Sequence, residues 1–216
     1  GQELGRGALM KAGRLWLRNA LDKEALGRLD ELAALGSKPG ARLSADQNAL
    51  SGVTNAISQI DPAYRPVRVV AFNKSAASNW GVPWHQDRII AVHEKYDLSG
   101  YRNWSEKAGV WHCEPPLEVL QNMLFVRVHL DDTHEENGAM EIALNSHRRG
   151  AIAAGEAAEV ANGLEKELCS AKRGDILVLN MLTLHRSRPA AKASSRRVLR
   201  VDYAAQALPA PLSWIV

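Results

Sequence analysis

Residues 174–204 read GDILVLNMLTLHRSRPAAKASSRRVLRVDYA. Two apolar runs, 176–184 and 198–204, flank a polar segment that contains Pro189, which predicts two strands joined by a turn. Gly174-Asp175 launches the first run. Upstream, residues 123–130 (MLFVRVHL) place Phe125, Arg127 and His129 on one face and Leu124, Val126, Val128 and Leu130 on the other, the period-two pattern of a strand. Residues 67–72, 89–92 and 139–144 are further short β-rich runs, and Asn137-Gly138 marks a turn between two of the strands.

The first third has another rhythm. Ala25, Leu26, Leu29, Leu32, Ala33 and Leu35 recur at helical spacing, with Asp22 placed to cap the start and Gly36 to end it. Residues 37–43, with Pro39 and Gly40, read as a loop. A second helix is expected from Ser44, since Ser44 and Gln47 have capping-box spacing. Val53, Ala56, Ile57 and Ile60 form its apolar face, and Pro62 stops it. Residues 153–161 predict one more short helix. Helices come first and strands after, without βαβ alternation, which argues against a Rossmann or TIM-type sheet. The expected fold is mainly β with N-terminal helices, closed as a sandwich or barrel.

The chain has 216 residues, enough for one domain, 1–216, with a helical part (1–62) and a β core (63–216). A net charge of +3 without a clustered basic stripe argues against a nucleic-acid partner. No apolar run reaches the roughly 18 residues of a membrane helix. The opening residues GQELGRGALMKAGRLW lack the apolar segment of a signal peptide, so a cytoplasmic location is expected. Cys113 and Cys169 fit no zinc pattern and read as free thiols. Residues 94–116, rich in aromatic side chains, read as a long loop, either a lid or an aromatic-pinned surface excursion.

The chemistry concentrates at Trp84-His85-Gln86-Asp87. In extended backbone, residues i and i+2 point to one side, so His85 and Asp87 can reach one metal ion while Gln86 points away. His185, at the end of the run 176–184, can supply a third ligand. Two imidazoles and one carboxylate form a facial triad that leaves adjacent positions open on iron(II) for a chelating 2-oxo acid and for dioxygen. The distal carboxylate of such an acid needs a cation. Arg196 follows His185 by 11 residues, on a strand expected to return beside the ligand strand. Its planar fork suits a carboxylate. Arg197, next in sequence, would face the opposite way. Ser187 would share the direction of His185 and add a hydroxyl donor.

Other residues have more than one reading. His129 and His134 flank Asp131-Asp132; a core role for His129 fits better than ligation. The Asp131-Asp132 and Glu135-Glu136 pairs read as a solvated turn. Arg127 either touches the co-substrate or pairs with a buried acid. Trp80, Trp84, Trp104 and Trp111 either wall a substrate pocket or pack in the core. Arg186, Arg188 and Lys192 around the distal ligand suggest a cationic rim and an anionic small-molecule substrate.

Together these elements resemble the phytanoyl-CoA dioxygenase family of non-haem iron oxygenases. Asn79-Trp-Gly-Val-Pro-Trp-His85-Gln-Asp87 is similar to its proximal ligand motif. Leu130-Asp131-Asp132 with Glu136-Asn137-Gly138 resembles its central strand and turn, and Ser146-His147-Arg148-Arg149-Gly150 its SHxxG element. Gly174-Asp175 through His185-Arg186-Ser187 resembles the distal ligand strand, and Arg196 falls where the co-substrate arginine belongs. The resemblance implies a double-stranded β-helix (jelly roll, cupin-like), with iron(II) held by His85, Asp87 and His185. It also implies 2-oxoglutarate as co-substrate and hydroxylation with release of succinate and carbon dioxide. Leu144-Asn145 replace the family's usual Pro-Gly, and Arg186 replaces a common Gly. The family's halogenases replace the metal carboxylate with a small residue; Asp87 is kept here. The alternatives are a cupin-like metal-dependent isomerase, a dioxygenase that does not use 2-oxoglutarate, or a catalytically silent jelly-roll binding module.

Overall fold

The structure, a computed structural model, describes residues 2–36, 41–43, 48–73, 81–191 and 196–216. Three helices come early: α1 (Gln2–Ala12), α2 (Lys23–Ala34) and α3 (Ser51–Ser58). Asp22 caps α2 as expected, its Oδ1 accepting a hydrogen bond from the Ala25 amide at 2.8 Å. The second helix begins at Ser51, later than the sequence suggested. Ser44 and Gln47 lie outside the described residues. Val53, Ala56, Ile57 and Ile60 are buried as read.

In chain order the strands are β1 (Arg14–Leu17), β2 (Ala41–Leu43), β3 (Arg65–Asn73), β4 (Val82–His85) and β5 (Ile90–Val92). Next come β6 (Arg102–Lys107), β7 (Val110–Glu114), helix α4 (Leu117–Gln121), β8 (Met123–His129) and β9 (Met140–Ala143). The chain then forms α5 (Ala157–Asn162), β10 (Lys166–Leu168), β11 (Ile176–Asn180), β12 (His185–Ser187) and β13 (Arg197–Ala204). A six-stranded antiparallel sheet runs β1-β11-β8-β13-β3-β2, and a four-stranded sheet runs β10-β9-β12-β4. Leu124, Val126, Val128, Leu199 and Val201 pack outward against Leu29, Leu50, Val53 and Ile57 of the helical part. Phe125, Leu177 and Leu179 face the other way and meet Met140 and Ile142 of the four-stranded sheet. Period-two alternation thus fills both sides of the large sheet with apolar side chains, each contributing roughly 1.5–3 kcal/mol when fully buried. Helix α5 covers the back of the smaller sheet through Ala157 and Ala161, against Trp84, Ala143 and Leu184. The result is the expected jelly roll.

Four expectations change. First, the N-terminal part read as helical also supplies two sheet strands. β1 pairs with β11, with Leu17 opposite Ile176, and β2 pairs with β3. Strands this short carry little periodicity of their own, and their place is fixed by the edges they cover. Second, residues 94–116 are not one loop. β6 and β7 form a hairpin that joins β5 in a third sheet. Its turn is Ala108-Gly109, with φ values of 51° and 77°, both in the left-handed region that a two-residue hairpin turn requires. Third, the run 176–184 is not one strand. β11 stops at Asn180, whose Oδ1 accepts from the Leu182 amide at 3.0 Å, and the chain crosses to the smaller sheet before His185. Fourth, β13 pairs with β8 and β3 and not with β12.

The SHxxG element joins these parts. Ser146 Oγ donates to Ala143 O at 2.6 Å and accepts from the Leu184 amide at 2.8 Å, tying the end of β9 to the approach of β12. His147 Nε2 lies 3.0 Å from Met10 O, at the end of α1. Gly13 (φ +79°) runs under this ring; a Cβ there would stand 2.6 Å from His147 Nδ1. Among the described residues, no helix is long and apolar enough to cross a membrane.

Candidate active site

β12 and β4 run antiparallel with His185 directly opposite His85, and their ring centroids are 4.2 Å apart. Each Nδ1 lies against a carbonyl two residues earlier: His85 on Pro83 O at 2.7 Å, His185 on Thr183 O at 3.0 Å. A carbonyl only accepts, so Nδ1 carries the proton, and in the neutral ring Nε2 is left with the bare lone pair. Burial, and then His85, push His185 down to about 3, so its ring is neutral. Phe125 sets its edge against that ring at 5.0 Å.

Asp87 lines the same cavity, but its Oδ2 pairs with Arg200 Nη1 and lies 3.7 Å from Arg68 Nη1. Burial alone would raise this carboxyl; Arg200 and then Arg68 outweigh it and hold it well below the usual range. Gln86 turns away as expected, its Nε2 donating to Gly150 O at 2.8 Å and Leu182 O at 2.9 Å. The structure therefore brings the two imidazoles together and sets the carboxylate on an arginine. Among the described residues, no three His, Cys, Asp or Glu side chains stand in ready-made metal-ligating geometry.

The cavity, about 220 Å³, has His85, His185 and Arg186 on the side of the smaller sheet and Arg127, Arg196 and Arg200 on the side of the larger one. Arg196 lies just before β13, so it reaches the cavity from the sheet facing His185, not from a strand beside it. It is buried, and its Nε has no hydrogen-bond partner among the described residues. Burial lowers its guanidinium to about 10. Arg197 faces outward as read, with Nη2 on Asp131 Oδ1 at 2.9 Å and Nη1 on Asp30 Oδ1 at 3.1 Å. That pairing replaces the solvated-turn reading of Asp131. Ser187 lines the cavity two residues past His185.

Arg200, Arg68 and Asp202 were not singled out from sequence. Arg200 Nε lies 2.9 Å from Asp202 Oδ1, its guanidinium covers the Phe125 ring at 4.0 Å, and Arg68 Nη1 lies 3.5 Å from Asp202 Oδ2. Burial opposes the Arg200 charge, yet Asp202 and Asp87 hold it well above its ordinary value. The signal was available: Arg196, Val198, Arg200 and Asp202 alternate along one strand, so accepting Arg196 as inward implies the others.

The cationic rim is offset. Arg186 Nε donates to Glu141 Oε1 at 2.8 Å and stacks over Trp84 at 4.8 Å, while Arg188 Nη2 lies 3.9 Å from the same oxygen. Lys192 and Trp80 lie outside the described residues. Trp84 is buried behind β4, and Trp104 and Trp111 pack against the core through the hairpin; none of the three lines the cavity. His129 has the expected core role: its Nδ1 donates to Asp175 O at 3.0 Å, and burial pushes it down to about 3. Both cysteines are free and buried.

Among curated proteins, none matches the chain in sequence. Solved structures match across nearly its whole length. AviO1 from Streptomyces viridochromogenes is similar over 97% of both chains, with 18% identity and a TM-score of 0.65. The epimerase SnoN from nogalamycin biosynthesis, in complex with Fe3+, alpha ketoglutarate and nogalamycin RO, matches 94% of this chain and 83% of its own, with 12% identity and a TM-score of 0.65. HygX from Streptomyces hygroscopicus, with iron bound, matches 93% of this chain and 85% of its own, with 16% identity and a TM-score of 0.61. At these identities the likeness shows the fold. Residues 37–198 match the model of the phytanoyl-CoA dioxygenase (PhyH) family, and the chain belongs to that family.

Proposed function

We propose that the protein is an iron(II)- and 2-oxoglutarate-dependent dioxygenase that hydroxylates a small organic substrate and releases succinate and carbon dioxide. One observation carries this reading: a single cavity sets two imidazoles whose Nδ1 atoms are held by carbonyls, and a carboxylate, across from a buried arginine that has no carboxylate partner among the described residues. The donor set suits iron(II). His85 and His185 each turn an Nε2 into the cavity, the His185 ring is neutral, and Asp87 is ionised. Arg200 keeps Asp202 as a partner, so the Asp87 carboxylate can turn toward the histidines without stranding a buried charge.

His85, Asp87 and His185 would hold the metal, and Arg196 and Ser187 the far carboxylate of 2-oxoglutarate. With its co-substrate and dioxygen, the metal supplies the oxidation of an unactivated C–H bond. The chain supplies position and dryness. The carbonyls of Pro83 and Thr183 fix the ring orientations, and Phe125 and Met140 line the cavity with apolar surface. The helical part and jelly roll act as one oxygenase domain, because the helices bury the outer face of the sheet that carries Arg196.

An isomerase or a dioxygenase that does not use 2-oxoglutarate would have no use for a buried Arg196 without a carboxylate partner among the described residues, and a silent binding module no use for the paired imidazoles. The fold also serves an epimerase and a carbocyclase, SnoN and SnoK from nogalamycin biosynthesis. Hydroxylation is therefore read from the product, as a gain of one oxygen atom. The substrate is small, and an anionic group on it would meet Arg186 and Arg188 at a rim where Glu141 already pairs with both. The test is succinate formation from 2-oxoglutarate with iron and dioxygen, across a panel of small organic acids and secondary metabolites. Succinate release that does not depend on iron, or no binding of 2-oxoglutarate, sinks the reading.

A further inference from the structure

Arg127 has no part in the scheme above, yet it lines the same cavity. It lies on β8 directly opposite Arg200 of β13, and it is 9% exposed. The wall therefore carries three guanidiniums. Arg200 is matched by Asp87 and Asp202. Arg127 and Arg196 have no carboxylate partner among the described residues, and the Nε of each makes no hydrogen bond. Nearby titratable groups do not compensate. His129 is neutral, and burial pushes the Cys169 thiol up to about 12, so it carries no charge either. Burial, and then Arg196, lower Arg127 to about 9, which still leaves it protonated at neutral pH. Two cations that line one cavity out of water are unfavourable unless an anion joins them.

We propose that Arg127 and Arg196 together grip the distal carboxylate of the 2-oxo acid, which makes Arg127 a specificity-determining residue that selects dicarboxylic over monocarboxylic 2-oxo acids. Its position favours the co-substrate over the substrate. Arg127 sits among buried groups on the inner face of the large sheet, whereas Arg188, on the histidine side, is the exposed arginine. A carboxylate has lone pairs enough for two forks, and a second fork adds charge-assisted bonds that a monocarboxylate cannot use.

This inference rests on the proposed use of 2-oxoglutarate, so the wild type is measured first. Anaerobic calorimetry on the iron-loaded protein compares 2-oxoglutarate with pyruvate, which has the same 2-oxo acid head and no distal carboxylate. In Arg127→Met, 2-oxoglutarate binding weakens by roughly tenfold to a hundredfold, as for loss of a charge-assisted contact, while pyruvate binding stays the same. Arg127→Lys keeps the charge without the fork, gives an intermediate loss, and serves if the methionine variant fails to fold. Unchanged 2-oxoglutarate binding in both variants overturns the proposal. So does an equal loss for both acids, which would mark Arg127 as structural. A wild type that binds no 2-oxoglutarate removes the functional reading itself, and this proposal with it.

Discussion

The two walls of the cavity are built on opposite terms. On the four-stranded sheet, every polar contact of the histidine rings is made: both Nδ1 atoms rest on carbonyls and only the Nε2 atoms look outward. On the six-stranded sheet, Arg127 and Arg196 are buried with contacts unmade. The histidine rings are held in place without a ligand; the arginine wall is completed by one. Ligand binding should therefore contribute more to the stability of the arginine wall, and substitutions on the two walls should fail differently.

The largest effect is expected on the histidine wall. His85→Ala or His185→Ala abolishes iron-dependent succinate formation and iron binding, because a three-ligand site has no spare donor. The folded protein survives, since each ring's hydrogen bond is to a carbonyl two residues earlier in its own chain segment. Asp87→Ala abolishes turnover too, and it also lowers stability by loosening Arg200, although Asp202 limits that loss. Bound iron, succinate yield and Tm are measured for each. Turnover in any one of the three sinks the metal assignment.

The arginine wall gives the converse result. Arg196→Met weakens 2-oxoglutarate binding by roughly ten- to a hundredfold while iron binding persists. Without co-substrate, the variant melts higher than wild type, because an uncompensated buried charge has been replaced by an apolar side chain. Saturating 2-oxoglutarate reverses the order: at a hundred times Kd a ligand stabilises its protein by about 2.7 kcal/mol, and the variant gains little. Melting curves with and without 2-oxoglutarate decide it. A lower Tm for Arg196→Met in both conditions would mean the arginine is satisfied in the free protein.

Away from the cavity the effects shrink and are purely structural. Gly13→Ala places a Cβ 2.6 Å from His147 Nδ1 at a positive φ, and should cost on the order of 1–3 kcal/mol by denaturant unfolding. The smallest effect is that of Arg197→Ala. It loses half-exposed pairs with Asp131 and Asp30, costs about 1 kcal/mol or less, and leaves 2-oxoglutarate affinity unchanged. Set beside Arg196→Met, it tests whether one residue of strand register separates a ligand contact from a surface pair.

Much of this was written locally. The alternation in 123–130 and 198–204 fixed which side chains share a face, and that holds because a strand repeats every two residues wherever it lies. The same rule put His85 and Asp87 on the cavity side, turned Gln86 away, and separated Arg196 from Arg197. The Asp22 cap needed only its own helix. Tertiary structure decided what lies beyond one strand's reach. It broke the run 176–184 at Asn180, because crossing between sheets depends on where the second sheet is. It placed Arg196 opposite His185, because the partner of β13 is chosen by pairing with β8 and β3, which lie far away in sequence. Among the described residues it left Arg127 and Arg196 without carboxylates while giving Arg200 two, a difference no composition records, since a charge is compensated only by what folding brings within a few ångströms of it.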